Sequence, residues 1–497
     1  SEENGGRGTG GQGQAASEGG TRTLHLMRLG TEEHWEVENP SSFSFSHDSR
    51  WLAVHKSRPR GEGGGRAGGG ESEEQARGSD LILRDLIDGT VTNLGNVSEV
   101  AFNEGSTHLA YLVDADGKAG NGLFVLELEE GRIRPLSTGD FLFQGLSWDE
   151  SGASLAVLRG NKPDGMVQRQ NELLTLQDLQ GSVQVFNPSD SPTFPEGFVL
   201  SEFRAPSWSE DGARVFVGIK EQQEEFEAGD DPGADVVVWH WNDKRVQSQQ
   251  EVQAGRDRRS TFLAVLNLDD SSFYQLSNED MSQVQLSQDG RWAVGFDDSR
   301  YWMDRDHENN RDDAYRIDPA TGEMTLISEA LVHSLGISPD SKWFLFWQNQ
   351  QVLAFDLESG DTVNLTEVAG GVDFENKEFD RPVEKSTYGV GGWSEDGAFV
   401  FLNHKFDVWQ VPLKGGEAVN LTGGMGNRAD IRFRIMDLDP EEDGVETGES
   451  IYLTAYGEWT KKSGYFRADP GGDPQELLFG DAMYGTAGFR GSGIRKA

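Results

Sequence analysis

A short motif recurs along the whole chain and limits the fold more than any other feature. Its clearest copy, residues 393–401, reads Trp-Ser-Glu-Asp-Gly and continues into alternating apolar residues that end at Phe401. A polar turn with a glycine, placed between two apolar segments, is typical of a β-hairpin. Further copies begin at Phe45, Phe102, Trp148, Trp208, Leu286 and Ile337, and a degenerate copy begins at Leu438.

A second pattern alternates with the first. An apolar strand ends in a polar turn, and a short strand follows that ends in Leu and Ser or Thr, as in residues 81–94, 123–137, 355–366 and 409–422. Each repeat therefore contains two hairpins, or four strands. A period of about 45 to 60 residues is typical of propellers and solenoids. The sequence predicts an all-β fold, a β-propeller of seven or eight four-stranded blades.

Length and composition divide the chain into segments. At 497 residues it exceeds the ~250–300 at which one hydrophobic core stops growing, so an array of repeats is favoured. Residues 1–22 are mostly Gly, Ser, Glu and Gln and predict a disordered tail, which leaves residues 23–497 for the propeller. Three segments interrupt the repeat: a Gly-rich loop at about 58–79, and charged insertions at about 220–259 and 297–313.

The net charge narrows the choice of partners. Lys and Arg number 44 against 85 Asp and Glu, which gives −41 and argues against nucleic acid or an anionic membrane surface as a partner. We interpret the acidity as a solvated exterior, with acidic patches for a cationic substrate as the alternative. The chain has no cysteine and no apolar run of the ~20 residues that a membrane span needs. It starts at Ser1 without an apolar leader, so we expect the native N-terminus to lie upstream or to have been removed.

The second charged insertion supplies the candidate site residues. Several carboxylates lie there beside His307 and two aromatic residues, but their spacing does not match a calcium-binding loop. We therefore expect a structural or substrate-facing loop and keep calcium as the alternative. The residues expected to face a substrate are Asp297, Asp298, Tyr301, Trp302 and Asp304.

Catalytic motifs are missing from the sequence. It contains no G-x-S-x-G segment, and its nine histidines form no H-x-x-x-H pair. We expect this chain to contain no catalytic residue, no metal site and no cofactor.

The motif, written aromatic-Ser-x-Asp-Gly-x-aliphatic, differs from the WD-type repeat. It resembles the propeller repeat of TolB-type periplasmic proteins and of the N-terminal domain of prolyl oligopeptidase-family serine peptidases, over about residues 23–497. The early copy at residues 44–53, the Gly-rich insertion after it and the acidic aromatic loop at 297–313 are most similar to large bacterial secreted members of that family.

This resemblance implies a function. In that family the propeller covers an α/β-hydrolase domain that holds the catalytic triad, and the chamber between them admits peptides. The expectation is a non-catalytic domain that gates peptide access to such a hydrolase domain, which this chain lacks. Its partners would be the hydrolase domain and a peptide, and its location periplasmic or extracellular, with cytoplasmic as the open alternative. The alternative function is a stand-alone, TolB-like propeller that binds proteins.

Overall fold

The computed structural model describes residues 22–31, 33–58, 76–225, 240, 243–304, 309–436, 438, 444–469, 472–482 and 484. The predicted tail, most of the Gly-rich loop and much of the degenerate repeat copy after Leu438 lie outside the described residues. The chain divides into two compact units. The first contains residues 1–160 and 178–183, and the second contains residues 161–177 and 184–497.

The strands of the first unit form antiparallel sheets. In chain order they are β1 (Thr23–Met27), β2 (His34–Glu38), β3 (Pro40–Phe45), β4 (Trp51–Lys56), β5 (Ser79–Asp85), β6 (Val91–Phe102), β7 (His108–Val113), β8 (Gly122–Glu127), β9 (Arg132–Thr138), β10 (Leu142–Trp148) and β11 (Leu155–Asn161). A short 3-10 helix, Asp116–Lys118, lies between β7 and β8. Strands β1 and β2 pair as a separate hairpin, β3 to β9 form one sheet in sequence order, and β10 pairs with β11.

The long strand β6 pairs with β5 on one side and with β7 on the other. Residues 91–94 pair with β5, and most of residues 97–102 pair with β7. Asn96, between these segments, has a φ of 56°, so the strand changes direction where it changes partner. The seven-stranded sheet therefore consists of two four-stranded halves that share β6, as the interleaved hairpins predict.

The second unit continues the same pattern. Its strands are β12 (Gln170–Leu176), β13 (Gln184–Phe186), β14 (Phe198–Leu200), β15 (Ser207–Trp208), β16 (Arg214–Glu221), β17 (Phe262–Asn267), β18 (Phe273–Gln275), β19 (Gln283–Leu286), β20 (Ala293–Asp297), β21 (Asp312–Ile317), β22 (Met324–Leu331), β23 (His333–Ile337), β24 (Trp343–Gln348), β25 (Gln351–Asp356), β26 (Thr362–Asn364), β27 (Val390–Trp393), β28 (Phe399–Asn403), β29 (Val408–Pro412), β30 (Val419–Asn420), β31 (Ile431–Ile435), β32 (Ile451–Gly457), β33 (Ser463–Ala468) and β34 (Gln475–Gly480). Strands β14 and β15 both pair with β16, which pairs with β17, and β17 pairs with β18.

Four consecutive sheets of this unit have four strands each: β19–β22, β23–β26, β27–β30 and β31–β34. They confirm the all-β, four-stranded repeat. The helices described in this unit are α1 (Gln247–Asp257), α2 (Leu365–Val368) and α3 (Met425–Ala429), with short 3-10 helices at Pro188–Asp190 and Trp302–Asp304. None of the helices within the described residues has the length and apolar character that a bilayer crossing requires.

Two of the predicted insertions contain further secondary structure. The segment at about 220–259 includes a helix, α1, which its polar sequence did not reveal. In the insertion at about 297–313, Asp297 ends β20 while Asp312 and Asp313 begin β21. The connecting loop is residues 298–311, of which 305–308 lie outside the described residues.

Hydrophobic clusters of the second unit lie between consecutive sheets. One joins Trp343 and Leu345 of β24 to Val400 of β28 and Val411 of β29. A second cluster joins the sheet of β16–β18 to the sheet of β19–β22. A third joins the sheet of β19–β22 to that of β23–β26, and a fourth joins β27–β30 to β31–β34. The five sheets from β14 to β34 therefore stack face to face in chain order, and each sheet buries apolar side chains against the next.

The tryptophans before the motif turns are only partly enclosed. Trp148, Trp208 and Trp393 are partly buried. Trp393 packs on the cluster shared by two sheets. The most enclosed indoles in that cluster are Trp343 and Trp347, which are 3% and 0% exposed.

Five of the motif turns are closed by their serine. The Ser394 hydroxyl donates to the Asp396 carboxylate at 2.6 Å and accepts the Phe399 backbone N–H at 2.9 Å. Ser394 is 3% exposed, so both bonds are protected from water on its side. The same two bonds occur at Ser46, Ser209, Ser287 and Ser338. We call this arrangement the serine clamp. It explains why the motif requires Ser and Asp two residues apart.

Neighbouring turns are also hydrogen-bonded to one another. In the first unit, the backbone N–H of Asp48 donates to Ser106 Oγ at 3.0 Å, and Asn103 Nδ2 donates to the Gly152 carbonyl at 2.9 Å. In the second unit, the Glu210 N–H donates to the Asp289 carbonyl at 3.0 Å, and the Asp289 N–H donates to Ser341 Oγ at 3.1 Å. Within each unit these bonds hold consecutive repeats in register at their turns.

Candidate functional site

The three predicted insertions share one topological position. They join β4 to β5, β16 to β17 and β20 to β21, which are the second and third strands of their repeats. In an antiparallel sheet this connection leaves from the end opposite the turn between the first and second strands. Each of these sheets therefore has a serine clamp at one end and an insertion at the other. We call the latter the insertion end.

A cavity of about 500 Å³ opens at the insertion end of the second unit, between the first strands β19 and β23. Its volume falls in the range of ~300–1,000 Å³ that is usual for ligand pockets. The residues that line it are Ser282, Gln283, Val284, Gln285, Phe296, Asp312, Leu331, Val332 and Ser334.

The lining is suited to hydrogen bonding rather than to covalent chemistry. The amides of Gln283 and Gln285 and the hydroxyls of Ser282 and Ser334 can each donate and accept. These groups complement the N–H and carbonyl groups of an extended peptide backbone. The described lining includes neither histidine nor lysine, and its ionisable residue is Asp312.

The loop predicted to face a substrate is anchored by a buried carboxylate, Asp313. The Tyr301 hydroxyl donates to Asp313 Oδ1 at 2.7 Å, and Arg300 Nη1 lies 2.9 Å from Oδ2. The backbone N–H of Ala330 also donates to Oδ1, at 2.9 Å. Asp313 is 2% exposed, so the loop folds back over a fixed negative charge at the start of β21.

The protonation state of this anchor follows from its partners. Burial raises the pKa of Asp313, but the hydrogen bonds from Tyr301, the Ala330 backbone and Arg300 outweigh burial, so its pKa is lowered overall. Burial, followed by the Asp313 hydrogen bond, raises the pKa of Tyr301. Asp313 is therefore ionised at neutral pH and acts as a structural anchor for the loop. Asp313 was not predicted as a site residue, although a carboxylate in the first residues of a half-buried strand is a detectable signal.

The other predicted residues lie close by. Asp297 pairs with Asp313 across β20 and β21, and its carboxylate accepts the Ser299 N–H at 2.8 Å. The Trp302 N–H donates to the Asp298 carbonyl at 3.0 Å. Asp297, Asp298, Tyr301 and Trp302 are not among the described residues that line the cavity.

Phe296 and Asp312, which lie next to the loop, do line the cavity. The structure thus brings the predicted loop to the insertion end and places its two stems at the cavity. The side chain of Asp304 lies outside the described residues. Contact of the five predicted residues with a substrate stays a prediction.

Connections from consecutive sheets touch at the insertion end. Lys244, from the insertion at 220–259, lies 3.7 Å from the Asp280 carboxylate and 3.9 Å from that of Asp298. Asn309 Nδ2 donates to the Glu384 carbonyl at 2.9 Å. The Trp347 indole N–H donates to the Lys385 carbonyl at 2.8 Å. The contacts of Lys244 and Asn309 link the loop 298–311 to the connections before and after it.

Two arginines, Arg432 and Arg434, lie on β31, the first strand of the last sheet. Arg432 Nη2 lies 2.7 Å from Glu458 and 3.6 Å from Glu378. Burial and the neighbouring Arg432 lower the pKa of Arg434 to about 10, which still leaves it protonated at neutral pH. The sequence analysis did not select this pair. Its signal is an Arg-Phe-Arg alternation in which Phe433 is fully buried, so both guanidiniums leave from the same face of β31.

One further group has the spacing of metal ligands. His25 and His34 come together on the β1–β2 hairpin with Glu36, and their ligand atoms lie within 4.8 Å of one another. No metal site was expected from the sequence, because the histidines form no H-x-x-x-H pair. Strand pairing brings together two histidines that are nine positions apart in sequence.

No family model matches this chain, and no curated protein matches it. Many solved structures are similar to it, and they include the following three. A prolyl endopeptidase is 10% identical with a TM-score of 0.31, and the alignment covers 84% of this chain and 54% of that protein. The β-propeller domain of the trilobed protease from Pyrococcus furiosus is 10% identical with a TM-score of 0.32, and covers 88% and 97%. TolB from Acinetobacter baumannii is 13% identical with a TM-score of 0.23, and covers 76% and 79%.

Propellers of the peptidase and TolB types are thus among the structures similar to this chain, as the repeat motif predicted. The chain spans about half the length of the prolyl endopeptidase, 54%. Identities of 10% to 13% and TM-scores of 0.23 to 0.32 assign neither an activity nor a partner to this chain.

Proposed function

We propose that this chain is a β-propeller domain of seven or eight blades that gates the access of peptides to the α/β-hydrolase domain of a prolyl oligopeptidase-type serine peptidase. The observation that carries the proposal is the polar cavity at the insertion end of the second unit. Serial stacking of four-stranded sheets supports the propeller, because the first strands of consecutive sheets lie side by side, as at β19 and β23.

The chemistry of the cavity supports peptide as the ligand. Its glutamines and serines are neutral groups that can donate to and accept from backbone amides, and Asp312 adds one carboxylate to the lining. Next to the cavity, the buried and ionised Asp313 holds Arg300 and Tyr301 of the connecting loop in place. A polar passage of this kind fits an access route for an extended peptide.

Narrowing the cavity tests this function. Ser334 lines the cavity and is exposed, so Ser334→Trp places an indole in the passage without displacing the core. In the native protein we expect kcat/KM for an octapeptide substrate to fall by about tenfold or more, while a dipeptide chromogenic substrate is cleaved as before.

The matched control is Ser359→Trp, at an exposed serine in the turn between β25 and β26. This variant should cleave both substrates like the parent. Equal rates of octapeptide cleavage by Ser334→Trp and the parent would contradict the proposed access route. Equal losses for both substrates would also contradict it, because a gate acts on the larger substrate.

A further inference from the structure

The hairpin of β1 and β2 has two unlike faces. Leu24, Leu26, Trp35 and Val37 form one face, and they pack against a cluster that contains Leu52 and Val54 of β4. Arg84 of β5 stacks over the Trp35 ring at 4.8 Å. The hairpin is therefore anchored to the first unit by its apolar face. Its other face is presented to solvent in a fixed orientation.

Three ligand-type side chains converge on the solvent face. In the strand register His25 is opposite Glu36, and His34 is opposite Met27, so His34 is the diagonal neighbour of His25 on the same face. His25 Nδ1 lies 3.1 Å from His34 Nε2 and 3.1 Å from Glu36 Oε1. His34 Nε2 lies 3.4 Å from Glu36 Oε1.

The two imidazoles face each other through these nitrogens. Their rings are nearly parallel, at 12°, and their centroids are 5.3 Å apart. Because the nitrogens are only 3.1 Å apart, they occupy the facing edges of the two rings. The remaining ring nitrogens point away from the group. Each of these two nitrogens can supply a lone pair to an ion when it carries no proton.

We propose that His25, His34 and Glu36 form a binding site for a divalent transition-metal ion of the Zn²⁺ or Cu²⁺ type. Bonds of about 2.0–2.1 Å to nitrogen and oxygen ligands, arranged as a tetrahedron, place those ligands about 3.3 Å apart. The three measured separations, 3.1, 3.1 and 3.4 Å, fit that spacing. Two imidazoles and one carboxylate are the donor set that these ions prefer, and they leave a coordination position for water.

The side chains can accept an ion without rearranging the core. Those of His25, Glu36 and His34 are 53%, 53% and 41% exposed, so an ion can enter from solvent. The anchored apolar face limits the movement of the strands, which reduces the ordering cost of binding. This site belongs to the first unit and is independent of the peptide-access proposal.

Calorimetry on the full chain tests the site. The protein should carry an affinity tag without histidine and be titrated with ZnCl₂ in excess Mg²⁺ and about 0.15 M NaCl, which suppresses binding to the acidic surface. We expect one Zn²⁺ per chain, with the affinity lowered about tenfold or more in His34→Ala and in His25→Ala. The matched control is His47→Ala, since His47 also lies 3.2 Å from a carboxylate, that of Glu104, but as a single histidine–glutamate pair.

A second readout reports ligand identity. Electron paramagnetic resonance of the Cu²⁺-loaded chain should show two coordinated imidazole nitrogens in the parent and one in His34→Ala. The metal-free variants should melt like the parent, because His34 is partly exposed. Binding that survives in the His25→Ala/His34→Ala double variant, or that is weakened equally by His47→Ala, would overturn the proposal. Absence of binding by the parent would overturn it as well.

Discussion

The serine clamp gives the sharpest test of how the repeat motif stabilises the fold. Ser394→Ala removes the 2.6 Å bond to Asp396 and leaves the Phe399 N–H without its 2.9 Å side-chain acceptor. A hydrogen bond to a charged group contributes about 1.5–3 kcal/mol, and an unpaired buried donor costs about 1–3 kcal/mol. These terms are not additive, and Asp396 itself is exposed to water. We therefore expect a loss of about 1–3 kcal/mol.

Hydrogen exchange measured by mass spectrometry is the appropriate assay, because a long repeat array does not unfold in one step. A loss of about 1–3 kcal/mol lowers the protection of amides in residues 394–403 by about 5- to 150-fold. Ser359→Ala, in an exposed turn, is the matched control and should change protection by about twofold or less. Ser394→Asn should recover part of the protection, since Asn103 accepts two backbone N–H groups at the same motif position. Protection of Ser394→Ala within twofold of the parent would refute the reasoning.

The clamp also predicts a pH dependence. The Ser394 hydrogen bond, followed by that from the Ala398 backbone, lowers the pKa of Asp396 below its ordinary 3.8. A carboxyl group whose pKa is lower in the folded state stabilises the fold above its unfolded-state pKa, and that contribution is lost as pH falls through the folded-state value. The difference in protection between parent and Ser394→Ala should therefore shrink as the pH falls from about 5 to about 2.5. A difference that grows over this interval would show that the carboxylate is not the partner that matters.

Two other contacts predict measurable losses. Asp313→Asn should weaken the anchor of the loop 298–311 by about 1–3 kcal/mol. Hydrogen exchange and tryptic cleavage of the loop should both become faster. Glu329→Gln removes an exposed partner of Arg300 and should change neither rate appreciably. Equal cleavage rates in the two variants would contradict the role of Asp313. Trp347→Ala should lower the free energy of unfolding, measured with urea, by about 3–5 kcal/mol, because Trp347 is 0% exposed. Trp393→Ala should lower it by less, because Trp393 is only partly buried. The reverse order would contradict the packing described for this cluster.

The local features of the fold were predictable because they are encoded by neighbouring residues. A polar turn between alternating apolar segments, as at residues 393–401, specifies a hairpin in any surroundings. The interleaved pattern then specifies four strands per repeat, and the structure has four strands in β23–β26 and its neighbours. The helix α1 was missed because its mostly polar sequence has no strong apolar periodicity, as its lack of buried residues shows.

The contacts that build the candidate sites could not be predicted in the same way. Asp313 is an anchor because Tyr301, Arg300 and Ala330 converge on it, and Ala330 lies on the next strand. His25 and His34 meet because of the register of one hairpin. Local sequence does not fix that register, and a shift by one residue would turn these side chains to the other face. The cavity between β19 and β23 depends on the packing of two sheets and has no local signature.

If this chain is a propeller domain of a serine peptidase, as proposed, the native protein also carries a catalytic domain. The most direct test is the intact mass of the native protein from its source, measured together with labelling by a fluorophosphonate probe for active-site serines. The account predicts a labelled species larger than 54.7 kDa by roughly the 200–250 residues of a catalytic domain. An unlabelled species near 54.7 kDa would contradict the account and favour a stand-alone binding propeller.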